Sequence, residues 1–390
     1  MRKRLLQVAG VAAVMVAVIA LLKLAPAGSA SASAALKTAW GDPDLQGIWT
    51  DDYQTPLQRP VKYANKPEFT EQERAELDQQ RAAILRRNQR VEVGTERDVA
   101  GAYNAVFQSI KHTGKRTSLI VDPPDGRIPP LTAEAKQRAD TDRQFRLALL
   151  QATATCKNGD TACAGGKYGP PSPRYKETPP FYNTGRLNRS NGPEDRSMTE
   201  RCMAAVLPDF TGYRRIVQGP GTVSIFYDVG QGQGWQRVIT LEQVPHLPSN
   251  VRQRFGDSRG HWEGNTLVVD VTNFSPKSDF QGARQNLHLV ERWTRTDAKT
   301  LEYQVTIEDP TTWTKSWTVK QEMNRQDEQA NRVYYEPRCH EGNYGLPALL
   351  SGTRAEEAAF AAGKGPDPAT KDSATDFGAE GGVDALAGGG

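Results

Sequence analysis

The chain has 390 residues, with 49 Lys and Arg against 46 Asp and Glu, a net charge of +3, 37% hydrophobic residues and four cysteines. So balanced a charge excludes a dedicated nucleic-acid binder, and the mix of apolar and charged residues excludes a disordered chain. A single apolar run, near the N-terminus, excludes a polytopic membrane protein, and four cysteines over this length are too few for a disulfide scaffold.

In chain order, Met1-Arg2-Lys3-Arg4 is a short basic head and Leu5–Leu22 an apolar stretch broken only by Gln7 and Gly10. Ala32-Ser33-Ala34 then has the A-x-A form of a signal-peptidase site, so residues 1–34 read as a signal peptide and the chain as periplasmic or secreted. The alternative is an uncleaved anchor, since Leu5–Leu22 is long enough to nearly span a bilayer; membrane contact is expected only in that case. Cleavage removes Arg2, Lys3, Arg4 and Lys23 and no acid, which carries the net charge from +3 to −1. Export also favours paired thiols. Cys156 and Cys163 are close in a polar, Gly-rich loop and are expected to pair, which leaves Cys202 to join Cys339.

Residues 35–69 read as extended. Thr70-Glu-Gln-Glu73 is a capping box that opens a charged helix to about Arg90. Residues 116–131 read as a strand ending in a turn at Asp125-Gly126, Thr132 to about Ala154 as a second helix, and 155–200 as a Pro- and Gly-rich connection. After Cys202 the period changes to two. Thr222–Asp228, Trp235–Leu241, Thr266–Thr272, Asn286–Arg295, Leu301–Glu308, Thr314–Met323 and Arg332–Glu336 all read as short strands. Gly230–Gly234 reads as a hairpin tip. The spacing predicts a mostly β fold, an antiparallel barrel or sandwich over 201–362. A helical N-terminal region, 35–200, packs on it, with Trp49 and the Ile120 strand completing the sheet. A short helix follows Ser351, and 363–390 reads as a disordered tail.

Two resemblances bear on this reading. Gly47-Ile48-Trp49, followed much later by a meander of strands, resembles the G-x-W start of lipocalin-like barrels. Asp122–Arg127 (DPPDGR), Gly256–Gly264 (GDSRGHWEG) and Cys339–Gly345 (CHEGNYG) resemble the motifs of a large family of exported bacterial proteins. Similarity to that family extends over most of the mature chain. It implies export and one shared fold, and it carries no catalytic residues.

The densest chemical cluster is Asp257, His261 and Glu263, which could supply an orienting carboxylate, an acid and a base. The competing reading is a hairpin loop that satisfies its own hydrogen bonds, with Glu263–Thr266 as a plain turn into the next strand. In the predicted strand at 286–295, alternation puts Leu287, Leu289, Glu291 and Trp293 on one face and His288, Val290 and Arg292 on the other. If the second face lines a lumen, His288 and Arg292 could polarise an anionic or carbonyl group; otherwise it is solvated. His340 and Glu341 follow Cys339 directly, where a disulfide would hold them rigid as a catalytic pair requires; the competing reading is a bridged loop whose polar residues face water. His112 reads as a solvated loop residue and His246 as a turn residue. Trp262 and Arg259 are candidate substrate contacts. The tryptophans at 235, 262, 293, 313 and 317 could line a ring-binding cavity, although core packing accounts for them as well.

Three histidines and a carboxylate would suit zinc. However, His261, His288 and His340 lie on separate segments with no H-E-x-x-H or C-x-x-C spacing, so no metal is expected. There is also no G-x-S-x-G elbow, no G-x-G-x-x-G after a strand and no P-loop, and no organic cofactor is expected. Three functions follow. The first is a cofactor-independent lyase, isomerase or hydrolase acting on a small molecule through His261, with Glu263 or Asp257 orienting it. The second is a lipocalin-like carrier of an apolar small molecule, and the third an envelope-associated structural or interaction protein.

Overall fold

A computed structural model describes residues 37–85, 111–203, 206–230, 233–327, 339–340 and 342–373. The predicted signal peptide and the strand expected at 332–336 lie outside them. Two units divide after Asp44. In the first, Lys37 and Pro43 form an antiparallel bridge and the Trp40 indole donates to Asp42 at 2.9 Å.

The second unit is built on a closed barrel. β1 (Gly47–Thr50) pairs with β5 (Tyr213–Gly219), and the sheet continues through β6 (Thr222–Gly230), β7 (Gln233–Thr240), β8 (Asp257–Glu263), β9 (Thr266–Thr272), β10 (His288–Arg295), β11 (Thr300–Glu308) and β12 (Trp317–Arg325). β12 returns to β1 at Trp49↔Arg325 and Thr50↔Asn324, which closes nine strands into a ring. Closure removes the open edges that a flat sheet would present. A short strand, β4 (Ile120–Asp122), adds to β12. β2 (Tyr53–Gln54) and β3 (His112–Thr113) form a separate parallel pair.

The fold is therefore the expected mostly β, lipocalin-like barrel, antiparallel at every pairing within the ring but one. β7 and β8 run parallel and touch only at Thr240↔Arg259, after the long connection 241–256. Gly260 makes that contact possible: a Cβ there would lie 2.8 Å from Ile239 and 2.9 Å from Leu241 side-chain atoms. Alternation then sorts the faces. Leu289, Glu291 and Trp293 of β10 and Leu301, Tyr303, Val305 and Ile307 of β11 point inward and are buried, together with Trp49, Trp313 and Trp317.

Several expectations are corrected. The segment around 257–263 is strand β8, not a loop, and β5 is an additional strand. The strand predicted over 116–131 is reduced to β4, with a turn at Asp125-Gly126 behind it. The capping box is formed: the Thr70 N–H donates to Glu73 Oε2 at 2.8 Å and the Glu73 N–H to Thr70 Oγ1 at 3.3 Å. It starts α1 (Glu71–Leu85). The second predicted helix divides into α2 (Ala133–Leu150) and α3 (Ala154–Lys157), and α4 (Gly345–Ala361) begins earlier than Ser351. Residues 363–373 of the predicted tail are held in place. Asn188 donates to the Lys371 carbonyl at 2.8 Å and accepts from the Ser373 N–H at 2.7 Å. Both expected disulfides are formed, Cys156–Cys163 and Cys202–Cys339.

Candidate functional site

Of the predicted site residues on β8 and β10, all but Trp262 lie on the outer face of the barrel. Arg259, His261 and Glu263 alternate with inward Ser258, Gly260 and Trp262. His261 Nε2 lies 3.3 Å from Glu263 Oε1, and Arg292 Nη2 lies 2.8 Å from Glu263 Oε2. Those two partners, Arg292 before His261, hold the Glu263 carboxyl below the usual range. About half of the His261 and Glu263 side chains is exposed. His288 and Arg292 are thus not in a lumen, because alternation gives the inside of β10 to Leu289, Glu291 and Trp293.

His288 belongs to a second group. Its Nε2 lies 3.0 Å from Asp270 Oδ1 and its Nδ1 3.4 Å from Glu308 Oε2, and Asp270, ahead of Glu308, raises the imidazole above its ordinary pKa. Asp270 is lowered in return, chiefly by its hydrogen bond to His288. His246 Nε2 approaches the same Asp270 oxygen at 3.6 Å, while its Nδ1 lies 2.8 Å from Asp257 Oδ2. Asp257 is buried, and its carboxylate is compensated there because it also accepts from the Leu247 N–H at 3.0 Å and pairs with Arg259 at 3.1 Å. Asp257 and Arg259 therefore tie the 241–256 connection to the barrel. His246, read from the sequence as a turn residue, joins Asp257 to Asp270.

His340 is exposed beside the Cys202–Cys339 bridge and shares no ion pair with these groups among the described residues; Glu341 lies outside them. Trp262 packs half-buried against the core, with its indole N–H buried and without an acceptor.

The barrel interior holds a polar group that the motifs did not point to. Arg237 Nη1 lies 2.7 Å from Glu291 Oε2, and Arg237 also donates to Ser258 Oγ at 2.9 Å and to the Tyr227 hydroxyl at 3.2 Å. The Tyr303 hydroxyl donates to Glu291 Oε1 at 2.8 Å. Burial pushes Tyr227 up to about 12 and Tyr303 well above its usual value. Burial alone would lower Arg237; Glu291 and Tyr227 offset it and keep the guanidinium charged.

A concavity outside the barrel, between α2 and the loops beside it, has a volume near 980 Å³. Thr132 sets that wall. Its hydroxyl accepts from the Ala135 N–H at 3.1 Å and donates to the Thr311 carbonyl at 3.0 Å, which docks the start of α2 on the turn after β11. Leu131, Ala135, Ala139, Leu147 and Leu150 line one side, with Phe181 and Tyr182 nearby. Thr161 and Ala162 of the Cys156–Cys163 loop, with Ala164 just after it, form an end. That loop packs its cystine on Leu147 and Leu150, and it needs Gly166, where a Cβ would lie 2.7 Å from Cys163 Sγ. The opposite side is the 276–286 connection and Asp309, Thr311 and Thr312. Among the described residues, none of those singled out from the sequence for catalysis or substrate contact lines this cleft. Its walls come from segments spread along the chain, so no local spacing could announce it.

No family model and no curated protein matches the chain. Solved structures similar to part of it include secretory abundant heat soluble protein 4 from Ramazzottius varieornatus, at 12% identity over 30% of this chain and 74% of that one, with a TM-score of 0.21. A point mutant of the fluorescent protein UnaG is another, at 18% identity over 33% of this chain and 86% of that one, with a TM-score of 0.19. Both likenesses are confined to about a third of the chain, and the barrel stands on its own strand pairing.

Proposed function

We propose that this chain is an exported small-molecule-binding protein, a carrier that uses a lipocalin-like barrel as its scaffold and takes its ligand in the cleft beside α2. The cleft carries the reading. Its volume near 980 Å³ falls within the range of small-molecule sites, about 300–1,000 Å³. Its lining joins aliphatic and aromatic side chains to a larger number of polar and charged ones, so it offers both an apolar surface and groups that fix a ligand's orientation. Two disulfides fit an oxidising compartment outside the cytoplasm. The three motifs extend the proposal to membership of the exported bacterial family they resemble. Acid–base catalysis at His261 has weaker support, because the ring is half-exposed on an outer barrel face and its partner Glu263 is engaged by Arg292.

Titration of the purified protein with N-phenyl-1-naphthylamine, which fluoresces in apolar surroundings, tests the reading. One saturable site is expected. Ala139→Trp, at an exposed α2 position that lines the cleft, is expected to weaken it about tenfold, the order of affinity lost with roughly 1.4 kcal/mol, with the thermal midpoint unchanged. No saturable binding, or equal binding by the variant, would sink the proposal.

A further inference from the structure

The cleft is lined by five cationic side chains and four carboxylates, and their pairing is uneven. Arg138 pairs with Glu134 at 2.7 Å, Arg146 with Asp142 at 2.6 Å and Arg284 with Asp279 at 3.0 Å. The fourth carboxylate, Asp309, is occupied by its own turn, accepting from Thr311 Oγ1 at 2.6 Å and Thr312 Oγ1 at 2.9 Å. Arg143 and Lys277 remain without a carboxylate partner among the described residues.

Both are nevertheless held in place. Arg143 Nη2 donates to the Ala164 carbonyl at 2.7 Å, directly after the loop closed by Cys156–Cys163, and packs where a Cβ on Gly165 would come within 2.8 Å. Lys277 Nζ sits over the Tyr182 ring at 5.3 Å. Each keeps donors to spare, since a guanidinium has five N–H groups and an ammonium three.

We infer that the cleft takes an anionic amphiphile, its apolar body lying along Leu131, Leu147 and Phe181 and its carboxylate, sulfate or sulfonate meeting Arg143 and Lys277. This rests on the reading of the cleft as the ligand site and names the class of ligand. Charge complementarity supplies the argument: the other charged side chains of the wall are paired or occupied, the two left without a carboxylate are both cations, and a charge-assisted hydrogen bond is stronger than a neutral one.

Two probes separate this inference from the broader reading. 1-Anilinonaphthalene-8-sulfonate and N-phenyl-1-naphthylamine share one aromatic body and differ by the sulfonate. The sulfonate probe is expected to bind at least about tenfold tighter, the size of one charge-assisted hydrogen bond. Its advantage is expected to shrink as salt rises from about 0.05 to about 0.5 M, because exposed charges are screened. It is expected to vanish in the Arg143→Gln/Lys277→Gln double variant, whose fold is safe because neither side chain is buried. Ala139→Trp is expected to weaken both probes. Equal binding of the two probes, or a sulfonate advantage that survives in the double variant, would overturn the inference while leaving the carrier proposal intact. Failure of both probes to bind would overturn both.

Discussion

Arg237 and Glu291 face each other inside the barrel, with 4% and 0% of their surface exposed. Two such charges are tolerable because each compensates the other and because Ser258, Tyr227 and Tyr303 fill much of their hydrogen-bonding capacity. Removing one partner leaves the other buried and uncompensated, a loss of about 3–5 kcal/mol. Glu291→Leu is therefore expected to lower unfolding stability by that amount. The double variant Arg237→Met/Glu291→Leu, which replaces the pair with apolar side chains of similar size, is expected to recover most of it. Denaturant unfolding of the four proteins in the cycle reads the coupling, and a double variant whose loss equals the sum of the singles contradicts the argument. Part of this feature is visible in the sequence, because alternation places Glu291 on the face of Leu289 and Trp293. A carboxylate on an apolar face demands a buried partner, but that partner, Arg237, lies on another strand at no readable spacing.

At the scale of strands, His288 of β10 stands between Asp270 of β9 and Glu308 of β11, with His246 of the 241–256 connection reaching Asp270 and Arg259 of β8 pairing Asp257 below. The raised pKa of His288 fixes the sign of its contribution. The stabilisation is fully present below about pH 6.5, the unfolded value, and is lost as pH rises through the higher folded value. Asp270 is lowered, so its share is lost only on acidification, and the contact is strongest in the window between the two. His288→Gln is expected to lower stability by about 1 kcal/mol or less in that window, since the pair is partly exposed. The deficit should close at alkaline pH; a deficit that grows on alkalinisation would refute the assignment. The same strands show what alternation can and cannot reveal. β9, β10, β11 and β12 are legible because at least two of the alternate inward positions on each carry Val, Leu, Ile or Trp. β5 is hidden because its inward positions include Arg214 and Gln218, and β8 because its own are Ser258, Gly260 and Trp262. Where the inside of a barrel is polar or small, the period-two signal disappears.

Over the whole molecule, the two disulfides do different work. Cys156–Cys163 closes a loop only seven residues apart and shapes the cleft wall. Cys202–Cys339 spans 137 residues and ties the segment leading into β5 to the one leading into α4. The longer loop removes more freedom from the unfolded chain, so Cys202→Ser/Cys339→Ser is expected to lower stability by about 2–5 kcal/mol. Thermal unfolding under non-reducing conditions measures this, and an unchanged midpoint would refute it.

The seam of the ring has a kinetic consequence. β1 lies near the start of the barrel and β12 near its end, and the bond from Asn324 to Asp52 beside the seam spans 272 residues. Contacts this distant in sequence make for slow folding, because loop closure must precede their reward. Until β12 has been made, β1 and β11 each present an unpaired border to any passing strand. A nascent or truncated chain ending before Trp317 is thus expected to self-associate, and the nine residues Trp317–Arg325 act as the clasp that ends that vulnerability.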